Sequence, residues 1–252
     1  MQEHLDRLEN ELKLRTFSKA TIKNYLIHNK TFLNYIKKQP EEIIQQDIDN
    51  YLQTEINNKT SPRTLALKKA ALKFFYYNIL EKNIVKLQLP KIEESPTQTL
   101  TKEEVSKLIQ SSLHHKSKLI VKLLYSTGLK VSELTNLRLI DINLDTNVCW
   151  IKKENRARDR TLKFSESLFE EIKKYIKELP EESEFLISHN KKQVSPRNIQ
   201  KIIQRTAKRA EINKKVTPST LRQSYTTHLL EEGIDTKTIK QLLGYSRSTT
   251  KI

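Results

Sequence analysis

Residues 148–164 read VCWIKKENRARDRTLKF, the one convincing β signal in a chain whose other segments read as helix. Val148-Cys149-Trp150-Ile151 and Thr161-Leu162-Lys163-Phe164 are rich in β-branched and aromatic residues, which lose rotamer freedom on a helix but pack well on a pleated surface. They flank a polar turn, the pattern of an antiparallel hairpin. Trp150 is expected to be a packing residue, and a third short strand is expected at residues 184–187. One small antiparallel sheet in a helical background makes the fold class mainly α with a minor β part.

Outward from the hairpin, the first 88 residues carry apolar positions three and four apart. Leu5, Leu8 and Leu12 open one helix, and Ile22, Tyr25, Leu26, Leu33 and Ile36 form a second stripe. A third helix carries Ile48, Tyr51 and Leu52. Ser61-Pro62 then reads as an N-cap and first helical position, followed by Leu65, Leu72, Phe75 and Tyr76. Periodicity is lost over residues 89–98, where prolines interrupt the chain, so a linker is expected there. Residues 1–88 are read as one helical domain and residues 99–252 as a second. Thr101 and Glu104 have capping-box spacing at the start of the second domain. Helices are expected near 116–126, 131–136, 166–178, 196–210, 218–232 and 236–243.

Charge suggests the partner. The chain has 46 Lys+Arg against 30 Asp+Glu, a formal net charge of +16, and such a field favours a polyanion. A lysine-padded solvated surface would give the same total, so distribution decides. Residues 57–80 contain no acid, yet hold Lys59, Arg63, Lys68, Lys69 and Lys73. The hairpin sets Lys152, Lys153, Arg156, Arg158, Arg160 and Lys163 against only Glu154 and Asp159. A solvated face ordinarily interleaves both signs; these two segments are expected to contact nucleic acid. The single Cys149 excludes an internal disulfide, and no Cys/His spacing suggests zinc. The charged start is unlike a secretory signal, and no apolar run nears the roughly 18 residues of a membrane span. A cytoplasmic location and no membrane partner are expected.

Four segments in order give a family resemblance. They are Ser126-Thr127-Gly128-Leu129-Lys130-Val131-Ser132-Glu133-Leu134; the hairpin ending Ala157-Arg158-Asp159-Arg160; Val216-Thr217-Pro218-Ser219-Thr220-Leu221-Arg222 running on to Thr227-His228-Leu229-Leu230; and Ile239-Lys240-Gln241-Leu242-Leu243-Gly244-Tyr245, ending Thr249-Thr250-Lys251-Ile252. Together they resemble the tyrosine recombinases (phage integrases), specifically the archaeal Xer-like branch. The Ser61-Pro62-Arg63-Thr64 box in the first domain is similar to that family's core-binding domain. The resemblance implies a helical core-binding domain plus an α+β catalytic domain, duplex DNA as partner, and no metal or nucleotide cofactor. In the family a tyrosine hydroxyl attacks a DNA phosphate. Two arginines neutralise the growing charge, a hairpin lysine protonates the leaving oxygen, and histidine groups manage protons and buttress the phosphate.

Carried over position by position, the match is incomplete. Lys130 stands at the first arginine, keeping charge but losing the bidentate fork. Asn155 falls at the catalytic lysine, with Lys152 and Lys153 near enough for a displaced one. Ser219 replaces the histidine three residues before the second arginine, Arg222, which is retained. Tyr245 stands at the histidine/tryptophan buttress. The nucleophilic tyrosine is expected just after Ile252, where the sequence stops. His228 is read as structural, and Tyr225 as core. Three functions follow from this reading. The first is a DNA-binding protein on a recombinase scaffold that does not cleave alone. The second is an active recombinase, truncated or completed by a partner chain through self-association or an intact recombinase. The third is a generic basic helical protein binding RNA or chromatin.

Overall fold

The computed structural model describes residues 1–89, 98–151 and 160–244. The linker prolines and the candidate residues Lys152, Lys153, Asn155, Arg156, Arg158 and Tyr245 lie outside the described residues. The chain divides into two units, Met1–Glu94 and Ser95–Ile252.

In the first unit, serines begin two of the four helices α1 (Gln2–Leu14), α2 (Lys19–Ile36), α3 (Gln45–Asn57) and α4 (Pro62–Ile79). Ser18 Oγ accepts the Thr21 amide at 3.1 Å and Ser61 Oγ accepts the Thr64 amide at 3.2 Å, each satisfying a first-turn donor that the helix leaves open. Pro62 occupies the first helical position, as its sequence context indicates. Leu8, Leu12, Phe32, Ile48, Leu52, Leu72, Phe75 and Tyr76 are buried in one core. Each such side chain contributes on the order of 1.5–3 kcal/mol on leaving water. Asn29 pins α2 to α4: its Nδ2 donates to the Ala71 carbonyl at 3.1 Å and to the Tyr25 carbonyl at 2.9 Å.

The second unit begins with the expected capping box: the Glu104 amide donates to Thr101 Oγ1 at 3.2 Å and the Thr101 amide to Glu104 Oε2 at 2.8 Å. Its helices are α5 (Lys102–Gln110), α6 (His115–Thr127), α7 (Val131–Thr135), α8 (Glu166–Lys177), α9 (Pro196–Arg209), α10 (Pro218–Glu231) and α11 (Thr236–Leu242). Five apolar residues of α6 (Leu119, Ile120, Val121, Leu123, Leu124) are completely buried, so this helix runs through the core. The three-stranded sheet orders β1 (Ile142–Asn143), β2 (Val148–Ile151) and β3 (Arg160–Lys163), all antiparallel, with Cys149 opposite Leu162 and Ile151 opposite Arg160.

Two sequence expectations are corrected. Residues 184–187 are not a strand of this sheet; they form a single antiparallel bridge, Phe185 to Arg138, with the Leu186 amide on the Leu137 carbonyl. The third strand is β1, and a separate two-stranded ribbon follows from β4 (Ser188–His189) and β5 (Lys192–Gln193). Trp150 is not a core residue. Side chains alternate across a strand, and with Cys149 and Ile151 turned inward, Trp150 is left 53% exposed. Burial pushes the Cys149 thiol up to about 12, the Asp141 charge adding to the shift and Arg160 opposing it.

Candidate nucleic-acid interface and arginine site

α10 starts on a reciprocal cap: the Thr220 amide donates to Thr217 Oγ1 at 3.1 Å, and the Thr217 amide to Thr220 Oγ1 at 3.2 Å. Pro218 supplies the first helical position. This fixes Arg222 one turn in, where it is buried. One Nη donates to the Gly128 carbonyl, and the other to the Leu243 carbonyl at 2.8 Å. Gly128 closes α6 in the left-handed region (φ +58°), and a Cβ there would stand 2.3 Å from Leu243 Cδ2 and 2.9 Å from Tyr225 Cδ1. Only glycine fits both the backbone and the space.

A second arginine works beside it. Arg160 Nη2 lies 2.9 Å from Glu133 Oε2, with side chains 9% and 8% exposed, and its Nη1 donates to the Leu242 carbonyl. The Lys130 amide also donates to Glu133 Oε2, at 2.9 Å. Glu133 therefore joins the start of α7 to the start of β3. Arg160 and Arg222 terminate on the consecutive carbonyls Leu242 and Leu243, at the C-terminus of α11, where cations complement the helix dipole. Tyr225, packed near Gly128, has its hydroxyl raised by burial and by the Glu232 charge, with Arg160 opposing. His228 is buried, its Nδ1 2.7 Å from the Tyr125 hydroxyl.

Of the catalytic candidates, Arg222 is brought against Gly128, two residues before Lys130, whose side chain is exposed at the N-cap of α7. Ser219 is exposed on the first turn of α10, three residues ahead of Arg222. Among the basic candidates of the first unit, Lys59, Arg63 and Lys73 are exposed and Lys69 is half-buried. Lys68 is committed internally: its Nζ is 2.6 Å from Glu55 and lies over the Tyr51 ring. Arg160 is likewise held inside the protein rather than presented to solvent.

A further basic face escaped the sequence reading. α9 presents Arg197, Lys201, Arg205 and Lys208 to solvent, while Ile199, Ile203, Thr206 and Ala207 face the core. The signal was available: residues 185–210 contain no acid and seven bases.

The sequence pattern of the Phage integrase family matches residues 98–252, and that of the Phage integrase, N-terminal SAM-like domain matches residues 4–86. The chain belongs to the phage integrase family, the tyrosine recombinases. It is 36% identical to Tyrosine recombinase XerA of Pyrococcus furiosus over 99% of this chain and 88% of that one. It is 32% identical to Tyrosine recombinase XerA of Pyrococcus horikoshii over 98% and 87%. Among solved structures it is similar to a XerA recombinase (TM-score 0.57, 26% identity, 97% and 90% covered). A lambda integrase dimer bound to a COC' core site shares the fold at TM-score 0.80 and 20% identity, with 100% of this chain and 98% of that one covered.

Proposed function

We propose that this chain binds duplex DNA as a site-specific recombinase scaffold and does not cleave it alone. The observation that carries the binding is the pair of exposed basic helix faces, Arg63 and Lys73 on α4 and Arg197, Lys201, Arg205 and Lys208 on α9, in a chain of this family. The basic hairpin residues Lys152, Lys153, Arg156 and Arg158 are assigned to DNA contact as well, and residues 1–88 act as the core-binding domain. Lys130 and Arg222 hold one phosphate between them. Integrases of this fold have been solved as a DNA-bound dimer and as a tetramer on a Holliday junction, which supports self-association on DNA.

The absence of cleavage rests on the side chains at proton-transfer and phosphate positions. Ser219, exposed where the family motif has histidine, is a poor proton acceptor at neutral pH, and Asn155 cannot act as a general acid in place of lysine. Lys130 offers a point charge where a guanidinium would bind two oxygens. Losing one such stabilising group costs ~10²–10³ in rate, and losing several is non-additive.

The test uses a duplex nicked near its site, with binding followed by anisotropy and covalent linkage by denaturing gel. The reading expects duplex binding that weakens by ~10³–10⁵ between about 50 and 200 mM salt, as for six to ten phosphate contacts, and no covalent band. A covalent band from this chain alone, abolished by Tyr245→Phe, refutes it. A band seen only with an added intact recombinase, the DNA linked to that partner's tyrosine, supports completion in trans. Preference for single-stranded RNA over duplex DNA would refute the binding assignment.

A further inference from the structure

At the N-terminus of α6, the β4–β5 ribbon and α9 border an open cavity of about 590 Å³. His114 and Lys116 reach it from the start of α6, His189 from β4, and Asn198, Lys201 and Arg205 from one stripe of α9. Among the described residues no carboxylate lines it. The three-to-four spacing of the α9 residues sets them on one side of that helix, while its core side is occupied by Ile199 and Ile203. Lys116 Nζ donates to the Ser188 carbonyl at 3.0 Å, which fixes that ammonium at the junction of α6 and β4. An adjoining cavity of about 370 Å³ shares His114, Lys116 and His189; the Glu178 carboxylate on its wall is engaged by His115 Nδ1 at 2.9 Å.

Three cations converging on one concavity repel one another when it is empty, and with two imidazoles and an amide beside them they match an anion when it is filled. α6 adds to the field: its N-cap, His114, makes no side-chain capping hydrogen bond, so the positive end of a 13-residue helix opens here. Among the described residues the cavity wall carries no Phe, Tyr or Trp on which a base would stack. The recognised group is therefore a phosphate rather than a nucleobase. Gly128, which receives Arg222, lies at the other end of α6, roughly 20 Å away at 1.5 Å per residue, so the two sites are separate.

We propose that this cavity is a second phosphate-binding site, whose occupant presents successive phosphate oxyanions. Two sources have that chemistry: the backbone of a DNA strand, and a free polyphosphate chain. The inference shares Lys201 and Arg205 with the proposed DNA-binding face and for its first source rests on that reading, whereas titration without duplex tests the cavity by itself.

The experiment titrates the full chain with inorganic tripolyphosphate, reading affinity by calorimetry and the His114 and His189 imidazoles by NMR. Both imidazoles are expected to shift. Lys201→Ala combined with Arg205→Ala is expected to lower affinity at least ~10-fold, since charge-assisted hydrogen bonds are roughly twice as strong as neutral ones. Both positions are solvent-facing, and circular dichroism checks that the variant is folded. If a prebound duplex blocks tripolyphosphate, the natural occupant is the DNA backbone; if binding persists beside the duplex, the occupant is a free polyphosphate. Unshifted imidazoles in the wild-type chain, or equal affinity of wild type and double variant, would overturn the proposal whether or not duplex DNA binds elsewhere.

Discussion

Gly128→Ala is the substitution to which the arginine site should be most sensitive, and the magnitude follows from two separable terms. The backbone term arises from φ +58°, a region costing an L-residue about 1–2 kcal/mol. The crowding term arises because the new methyl would sit 2.3 Å from Leu243 Cδ2 and 2.9 Å from Tyr225 Cδ1. Non-bonded carbons do not approach that closely, so α11 or α10 must shift, at about 1–3 kcal/mol. The sum is about 2–5 kcal/mol, and at about 2–4 °C per kcal/mol for a unit of this size the expected Tm decrease is ~4–20 °C. Gly233→Ala is the control: its φ is +81° but nothing stands within 4 Å of the added Cβ, so only the backbone term applies, a fall of ~2–8 °C. Thermal unfolding of both variants by circular dichroism isolates the crowding term. Equal melting temperatures would refute the close approach of Gly128 to Leu243, and with it the geometry in which Arg222 bridges their carbonyls.

Glu133→Gln removes the carboxylate from a pair in which both side chains are under a tenth exposed. It should lower stability by on the order of 3 kcal/mol, and an unchanged urea midpoint would contradict the buried pairing with Arg160. Lys73→Ala, at an exposed position of α4, should weaken duplex binding and flatten the dependence of log K on log salt by about 0.9. Lys68→Ala should instead destabilise the first unit through loss of the Glu55 and Tyr51 contacts and change that slope little; the reverse pattern would invalidate the division of α4 into a bound and a free set. Burial holds the Cys149 thiol protonated up to about pH 12, against an ordinary value of 9.0. The stabilising effect is complete below about pH 9 and is lost as pH rises through about 12. At pH 8 a thiolate-selective disulfide reagent should leave the folded chain unmodified and react once per chain in denaturant.

What could be read from sequence divides along physical lines. Local, short-range signals were legible: Ser61-Pro62 and the Thr101/Glu104 box each specify a helix start through hydrogen bonds spanning three residues. β1 was not, because a two-residue strand is too short to show any alternation. Residues 184–187 do run beside 137–139, with the Leu139 amide on the Glu184 carbonyl, but the pairing is an isolated bridge outside both sheets. Trp150 was misread because an aromatic residue in a short strand gives no sign of which face it takes; the register with Thr161 decides that. In the candidate site, Arg222 was legible through its motif. The commitment of Arg160 to Glu133, 27 residues away, and of Lys68 to Glu55 was not, since charge counts treat every base as available.

A formal charge of +16 is a statement about the whole chain, whereas a polyanion meets only the cations that the fold leaves free. Arg160 is placed by a strand end, a helix N-terminus and a helix C-terminus together, and its charge is answered by Glu133 before any ligand arrives. Arg197, Lys201, Arg205 and Lys208 are set by helix geometry on the side of α9 away from the core, within 26 residues of sequence that supply no acid to answer them. Sequence segments without acids thus locate a binding face only when the partner acids of the rest of the chain are also out of reach. Among the described residues no ion pair involves Arg197, Lys201, Arg205 or Lys208 of α9, nor Arg63 or Lys73 of α4, whereas Lys68 is paired with Glu55. The basic surface is therefore narrower than the composition suggests, which makes each exposed cation on it a larger fraction of the measured salt dependence.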